Sequence, residues 1–524
     1  MRTRLILVTL LVGISSIVFA QKKAEETICE NDLRAHLEFI AGDLMQGRDF
    51  YTDIPGLEMT AEYLKGQCRK MGLKPGFDDY FQLVELSSSK PDMEQTWFKL
   101  MSPEGEVTYK TQDIFSLGAS SGGDTITGDL LFAGYGWYNN ETKYNDTEGM
   151  DLKDKIVVVM TRTPEMVKAG EEMAMQSESM KMQKAILGGA KALLFIPDPL
   201  NPDTKLQDNL KKYATGGMLQ LKGAKAGRRM PIKILFGTSE LGDQIVKESG
   251  KTLAGIQEEI GETGSPKSFD VKEFSANIQL AMKVSTVEGK NVVAVVEGSD
   301  PVLKNECVVY TAHYDHLGTS GEGEVFNGAD DNGTGTVSLL EIAEAFQHMK
   351  KKPKRSIVFA WVTGEEKGLL GSDYYSQNPV FPLGNTLADI NLDMVGRSAE
   401  VEPDPEAEVE KSLAGPNGLY IVSGKQSSEL IGISNDICDD LGLIPSDKLS
   451  EAFLTRSDYY HFYKNGVPVL GLSTGLHDDY HKVSDEVEKI DYTKMKRVAQ
   501  YSFLVGERVA NQKKRIVVDK PSVE

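Results

Sequence analysis

The tetrapeptide His313-Tyr314-Asp315-His316, followed after a short loop by GADDNGTG (residues 328–335), is rich in side chains that bind cations. It lies between the strand-like apolar run CVVYTA (307–312) and the helix-like run VSLLEIAEAF (337–346). Imidazoles and adjacent carboxylates that gather between a strand and a helix commonly converge on a metal ion. This passage therefore predicts an α/β unit with a metal site where a strand ends.

Three later passages repeat the same arrangement. In each, an apolar strand-like run is followed by acidic or imidazole side chains: Glu365 and Glu366 in VTGEEKG, Asp393 in INLDMVG, and His481 in DDYHKVSDE. Strand-like and helix-like runs alternate from residue 307 to residue 509, which predicts an α/β fold with a mixed, mostly parallel central sheet flanked by helices. Side chains that follow the strands of such a sheet meet at one edge.

Several carboxylates at one edge would repel one another unless cations compensated their charge. The pattern therefore predicts one or two divalent metal ions. Imidazole together with carboxylate favours zinc, followed by manganese or cobalt. The nearest cysteine, Cys307, lies inside an apolar run and is expected to be a buried thiol. Each passage alone is equally typical of a turn or of the first turn of a helix, and the prediction depends on their repetition.

Composition and the N-terminus limit the class of protein. The chain has 524 residues, of which 40% are hydrophobic and 26% charged, so two globular domains are expected. Arg2 and Arg4 precede an apolar run (5–19) that ends at Ala20, which predicts a cleaved signal peptide (1–20) and export to the periplasm or the medium. A membrane anchor is the alternative, but the run is short for a span. The net charge of −20 disfavours nucleic acid and anionic lipid as partners.

The residue pattern changes from helix-like to strand-like in the first half of the chain. Residues 30–75 predict an opening pair of helices, and residues 21–117 are assigned to the main domain. Short strand-like runs such as KIVVVMTR and AKALLFIPDP then predict an inserted β-rich domain over residues 118–268. The main domain resumes over residues 269–524, with the strands IQLAMKV and NVVAVVEG joined by a turn at Gly289.

Five motifs together resemble the co-catalytic zinc aminopeptidase family, which includes glutamate carboxypeptidase and glutaminyl cyclase. They are HYDH, GADDNGTG, GEEKGLLGS, NLDMVG and YHKVSDE. The resemblance covers residues 276–510, and residues 33–50 are similar to the opening segment of secreted bacterial members. The insert resembles a protease-associated domain. The resemblance implies a zinc exopeptidase fold of the phosphorylase/hydrolase-like kind, two zinc ions and peptide substrates.

The resemblance also implies a role for each site residue. Asp331 would bridge the two metals, with His313 and Asp393 completing one site and Glu366 and His481 the other. Glu365 would be the general base that takes a proton from the attacking water. Asp315 would accept a hydrogen bond from the second ring nitrogen of His313, and Asp458 would lie close behind the ligands.

Further expectations concern the remaining polar residues of these motifs. Tyr480 would donate a hydrogen bond to the tetrahedral oxyanion, whereas His316 and His477 would be residues of the rim. Tyr459 occupies a position where many relatives have histidine, which puts the contact made there in doubt. Family structures also imply a cis peptide after Asp331.

Three activities remain open at this stage. An aminopeptidase is favoured over a carboxypeptidase of the glutamate carboxypeptidase type because no arginine cluster near the ligand loops indicates a carboxylate pocket, although Arg397 and Arg456 are close in sequence to site residues. A glutaminyl cyclase is disfavoured because those relatives lack the large insert. A non-catalytic receptor on the peptidase fold is the alternative of another class, and it is disfavoured because every ligand and the base are retained.

Overall fold

The computed structural model describes residues 23–110, 114–117, 124–171, 173–199, 211, 217–224, 232–320, 323–401 and 409–520. The predicted signal peptide lies outside these residues. No helix among them combines the length and the apolar character needed to cross a bilayer. The strands are β1 Lys74–Pro75, β2 Phe81–Pro91, β3 Trp97–Ser102, β4 Gly105–Lys110, β5 Phe115–Leu117, β6 Asp124–Ala133, β7 Tyr138–Asn139, β8 Tyr144–Asn145, β9 Ile156–Met160, β10 Ala192–Ile196, β11 Met218–Leu221, β12 Lys233–Phe236, β13 Ser268–Leu280, β14 Met282–Val296, β15 Cys307–His313, β16 Ser356–Val362, β17 Thr386–Leu392, β18 Gly418–Val422, β19 Ile444–Ser446 and β20 Val469–Ser473.

The helices show the apolar periodicity expected of elements that cover a sheet. In the first of them, Leu33, Leu37 and Ile40 recur at helical spacing and are all buried. The α-helices are α1 Glu30–Ile40, α2 Gly56–Met71, α3 Pro164–Ala169, α4 Met175–Leu187, α5 Ser239–Val246, α6 Leu253–Thr263, α7 Gly335–His348, α8 Leu370–Gln377, α9 Ser428–Leu441, α10 Ser450–Phe453, α11 Tyr459–Lys464 and α12 Tyr492–Asn511. The predicted opening pair of helices corresponds to α1 and α2.

The described residues divide into two compact units. The first contains those up to Val84 and those from Gly289 onward, and the second contains those between Glu85 and Glu288. In the first unit, β14, β16, β15, β17, β20, β18 and β19 are consecutive neighbours in a ten-stranded mixed sheet. Its centre, β16, β15, β17 and β20, is parallel, whereas β14 and β18 run antiparallel to their neighbours β16 and β20. Every residue of β15, β16 and β17 is buried, as is typical of parallel strands covered on both faces. The predicted α/β class is confirmed.

The second unit has its own eight-stranded sheet in the order β4-β3-β13-β6-β9-β10-β12-β5. The predicted insert, residues 118–268, lies inside this unit. The unit is wider because the hairpin of β3 and β4 pairs with β13. Its likeness to a protease-associated domain stays a prediction.

One detail of the strand prediction is wrong. IQLAMKV is divided between β13 and β14 at Ala281, and Gly289 lies inside the continuous strand β14 rather than in a turn. Gly289 is buried within the strand, and the part of β14 before it, from Lys283 to Glu288, is mostly exposed.

Candidate metal centre

Four neighbouring parallel strands bring the predicted ligands to one edge of the sheet. His313 is the last residue of β15, and Asp393 directly follows β17. Glu365 and Glu366 lie in the loop after β16, and His481 lies in the loop after β20. Because β16, β15, β17 and β20 are parallel, their carboxyl ends point the same way and the four loops converge.

Asp331 lies between two groups of these side chains. Its Oδ1 is 3.4 Å from His313 Nε2, which is itself 3.4 Å from Asp393 Oδ1. Its Oδ2 is 3.1 Å from His481 Nε2, which is 3.3 Å from Glu366 Oε2. Each carboxylate oxygen of Asp331 therefore faces a separate set of donor atoms.

The spacing of these donors fits divalent metal ions. Zinc bonds of about 2.0–2.1 Å at tetrahedral angles place neighbouring ligand atoms about 3.3 Å apart, which is close to the distances in both groups. The buried Asp393 Oδ1 accepts no hydrogen bond from the described residues. Although burial opposes a charged imidazole, the carboxylates of Asp331 and Glu366 raise the pKa of His481 to about 10. The cluster thus has an excess of negative charge that favours cations.

Glu365 lies beside the first group, and its carboxylate is close enough to His313 and Asp393 to share a cation with them. Its Oε2 is 3.9 Å from His313 Nε2. Burial raises the pKa of Glu365 well above its usual range, and the neighbouring carboxylates of Glu366 and Asp393 act in the same direction. A carboxylate of raised basicity next to a cation site is suited to accept a proton.

The predicted contact of the Asp315 carboxylate with His313 is wrong. The ring nitrogen His313 Nδ1 lies 3.2 Å from the backbone carbonyl of Asp315 and 3.9 Å from its carboxylate. The carboxylate instead accepts the backbone N–H groups of Glu365 at 3.1 Å and Glu366 at 3.3 Å. Asp315 therefore fixes the loop that carries these two glutamates, and the carbonyl sets the tautomer of His313.

His316 is buried, so its predicted place on the rim is wrong. Its Nδ1 lies 2.8 Å from Glu366 Oε1 and 3.9 Å from Asp331 Oδ2, so His316, Asp331 and Glu366 are close enough to share a metal ion. The ring packs where Gly328 has no side chain, since a Cβ at Gly328 would lie 2.4 Å from His316 Cδ2. Gly328 is twelve residues from His316 in the chain, so no local sequence signal indicated this burial.

His477 is also buried rather than on the rim. Its Nδ1 accepts the N–H of Asp479 at 3.2 Å, so its Nε2 donates to Asp330 Oδ2, also at 3.2 Å. This contact explains why Asp330 faces away from the two groups. Asp479 also binds Arg397: its Oδ2 is 2.8 Å from Arg397 Nη2.

Two residues hold the GADDNGTG loop in place. The Asp485 carboxylate accepts the backbone N–H groups of Asp330 and Asp331 at 3.0–3.1 Å. The fully buried Arg48 donates to the carbonyls of Asn327 and Gly328 at 2.6 and 2.9 Å, as well as to two carbonyls outside the loop. Burial lowers the pKa of Arg48 to about 10. No sequence signal marked Arg48, because its partners are backbone carbonyls. The cis peptide expected between Asp331 and Asn332 is present.

A chain of hydrogen bonds leads from Asp393 into the core. Ser457 Oγ lies 2.6 Å from Asp393 Oδ2 and 3.3 Å from Asn391 Oδ1. Asn391 donates to Thr311 at 3.1 Å, and Thr311 donates to the buried Asp389 at 3.0 Å. Asp393 is therefore held on one oxygen by Ser457, and its other oxygen faces the first group.

A cavity opens onto the two groups. Its lining includes the predicted oxyanion residue Tyr480, whose ring stacks on that of His481 with centroids 3.8 Å apart. Burial and nearby carboxylates keep the pKa of Tyr480 above its usual value, so its phenol is a donor. Tyr459 also lines the cavity, and its hydroxyl donates to the Phe453 carbonyl. Asp458 is buried at the start of α11, and burial raises its pKa to about 7.

Comparisons with known proteins agree with this geometry. Residues 291–505 match the model of Peptidase family M28. Aminopeptidase Y of Saccharomyces cerevisiae is 27% identical over 42% of this chain and 38% of its own length. Leucine aminopeptidase 2 of Trichophyton rubrum is 31% identical over 42% of this chain and 41% of its own length. The chain thus matches about two fifths of the length of these relatives.

Solved structures are similar over most of the chain. An aminopeptidase from Aneurinibacillus sp. strain AM-1 has a TM-score of 0.53 at 17% identity, covering 95% of this chain and 98% of its own. A zinc aminopeptidase from Bacillus subtilis has a TM-score of 0.50 at 18% identity, covering 91% and 94%. These structures show the shared fold. The match of residues 291–505 to the model of Peptidase family M28 confirms the resemblance seen in the five motifs.

Proposed function

We propose that this protein is an exported, zinc-dependent exopeptidase that removes N-terminal residues from peptides. The observation that carries the proposal is the position of Asp331, whose two oxygens face two separate groups of donors at 3.1 and 3.4 Å. Relatives named aminopeptidases support the peptide substrate. Export rests on residues 1–20, and the N-terminus of the mature protein, read by sequencing, tests cleavage after Ala20.

We assign His313, Asp331 and Asp393 to one zinc ion and Asp331, Glu366 and His481 to the other. When bound, the zinc ions polarise the scissile carbonyl and make water a better nucleophile at neutral pH. His481 is preferred to His316 as a ligand because its distances to Asp331 and Glu366 match the separation of two ligand atoms. His316 Nδ1 lies 2.8 Å from Glu366, which is a hydrogen-bond distance.

The remaining steps belong to the side chains. Glu365 accepts a proton from the attacking water and later delivers it to the leaving amine, which keeps the proton balance within one residue. Tyr480 donates a hydrogen bond to the oxygen that becomes negative as the carbonyl is attacked. Asp315 holds Glu365 and Glu366 through their backbone amides and so fixes their relative position.

Electrostatics favour an aminopeptidase. Asp315 and Asp458 are buried near the proposed ligands, so the site remains rich in carboxylates even with two cations bound. A cationic N-terminal amine is attracted to such a site. Arg397, one of two arginines considered for a carboxylate pocket, is engaged by Asp479 at 2.8 Å.

The test compares aminoacyl chromogens and peptides with blocked N-termini, using the wild type and Glu365→Gln with zinc added. We expect cleavage of the free N-terminal substrates alone and a loss of kcat of about a hundredfold or more in the variant. Cleavage of blocked peptides from the C-terminal end would show a carboxypeptidase. A variant within a few-fold of the wild type would remove Glu365 from the role of base. Zinc analysis of the purified protein, finding no metal, would contradict the proposal as a whole.

A further inference from the structure

The cavity next to the two groups has an apolar interior and one cationic side chain. Its walls include Val422, Phe453, Leu472 and Leu476, all of them buried. Arg456 is the only arginine or lysine among the described residues that line it, and this residue is exposed. The cavity therefore has a deep part suited to an apolar side chain and a charged position at its rim.

Arg456 has no carboxylate partner within ion-pair distance among the described residues. Its guanidinium lies over the Phe453 ring, with the central carbon 5.1 Å from the ring centroid. The N–H groups of a guanidinium lie in the plane of that group. A guanidinium that stacks on an aromatic face can therefore still donate them to an anion in the same plane. Arg397, by contrast, is bound to Asp479 and is not available. Arg456 is thus a positioned cation without an internal counter-ion.

The position of Arg456 in the chain brings it near the proposed first zinc site. It directly precedes Ser457, whose hydroxyl lies 2.6 Å from the Asp393 carboxylate. An extended peptide advances about 3.5 Å per residue, so one or two residues beyond the scissile bond cover only about 4–7 Å. A group at the rim is then within reach of the C-terminus of a very short substrate.

We propose that Arg456 binds the free C-terminal carboxylate of short peptides, so that dipeptides and tripeptides are the preferred substrates. This proposal rests on the proposed exopeptidase function and names its substrate class. The C-terminal carboxylate is favoured over an acidic N-terminal side chain because the buried part of the cavity is apolar, and a carboxylate there would lose its hydration without gaining a partner. At the exposed rim the carboxylate keeps water on one side and gains a charge-assisted, bidentate contact on the other.

The first experiment measures kcat/KM for Leu-Leu and for its C-terminal amide, with the wild type, Arg456→Gln and Arg456→Lys. We expect the wild type to prefer the free acid by about tenfold or more, and Arg456→Gln to reduce that ratio to near one through a higher KM for the acid. Arg456→Lys keeps the charge and retains part of the preference. Arg508→Gln is the matched control, because Arg508 is an exposed arginine on α12 outside the cavity, and its ratio stays at the wild-type value.

A second measurement separates this proposal from the peptidase function itself. Calorimetric binding of Leu-Leu to zinc-loaded Glu365→Gln, with and without Arg456→Gln, reports the contact without turnover, and we expect Kd to rise about tenfold in the double variant. An acid-to-amide ratio that does not change in Arg456→Gln, together with an unchanged Kd, overturns the proposal. Selective loss of Glu-p-nitroanilide hydrolysis relative to Leu-p-nitroanilide also overturns it, because it places the bound carboxylate on the N-terminal side chain. Absence of turnover with any substrate, with the Kd effect intact, contradicts the peptidase function and leaves the carboxylate site standing.

Discussion

At the scale of single residues, Ser457 lies against one carboxylate of the proposed metal centre. Its hydroxyl lies 2.6 Å from Asp393 Oδ2 and leaves the other oxygen to face His313. Removing such a contact lets the carboxylate rotate and typically costs 10–100-fold in metal affinity or activity. We therefore expect Ser457→Ala to lower zinc affinity about tenfold or more, measured by competition with a chromogenic chelator. Ser434→Ala, which removes a buried hydroxyl 2.6 Å from Tyr501, is the control that leaves zinc affinity unchanged. Equal affinities in wild type and Ser457→Ala would show that Asp393 is held by the loop alone.

The same scale shows which site residues sequence can predict. His313, Asp393 and the two glutamates follow strand-like runs, and the parallel order of those strands brings them together, so their convergence was predictable. His316 was assigned to the rim because no spacing rule distinguishes the two histidines of one tetrapeptide. Its direction depends on the space left by Gly328, more than ten residues away in the chain. Arg48 was missed for a similar reason, since its partners are backbone carbonyls and carry no sequence signal.

At the scale of elements, the packing of α1 against α7 places a carboxylate where water cannot reach it. Glu341 on α7 is 3% exposed; its Oε2 accepts the backbone N–H of Cys29 at 3.4 Å, and its Oε1 lies 3.6 Å from His36 Nε2. Burial raises the pKa of Glu341 from 4.5 to about 8, with Asp32 and Glu344 acting in the same direction and Lys70 against it. The protonated form is therefore the one that the fold prefers.

The sign of the resulting pH dependence follows from that shift. Because the folded-state pKa exceeds the unfolded one, the stability associated with Glu341 is fully present below about pH 4.5 and is lost as pH rises through about 8. Glu341→Gln cannot ionise, so we expect it to be more stable than the wild type at pH 8.5, by on the order of 2 kcal/mol, with the difference small at pH 5. Urea denaturation at the two pH values measures this. Glu429→Gln, at an exposed position on α9, should show no such change. An equal difference at both pH values for Glu341→Gln would mean that Glu341 does not titrate in this range.

At the scale of the whole molecule, the two units have separate hydrophobic cores. The described residues that form the core clusters of the second unit, from Phe98 to Leu280 and from Phe115 to Phe236, all come from Glu85–Glu288. Every proposed ligand and the base come from the first unit. The strand texture predicted an insert over residues 118–268, and its bounds stay a prediction. The pairing of β3 with β13 joins segments far apart in the chain, which local pattern cannot show.

Separate cores predict that residues 85–288 fold when produced alone. Such a fragment should show a cooperative thermal transition, because a domain with its own core needs no other part of the chain for stability. It should not hydrolyse aminoacyl chromogens, because every proposed ligand and the base lie outside it.

Native packing of the fragment is tested with Arg162→Met. This substitution breaks a buried ion pair in which Arg162 Nη2 lies 2.7 Å from Asp198 Oδ2. Leaving Asp198 buried without this partner should lower the free energy of unfolding by about 3–5 kcal/mol, whereas Lys168→Met on the exposed face of α3 should change it by no more than about 0.5 kcal/mol. A fragment that melts without a cooperative transition, or that does not distinguish the two variants, would show that the second unit depends on the first for its fold.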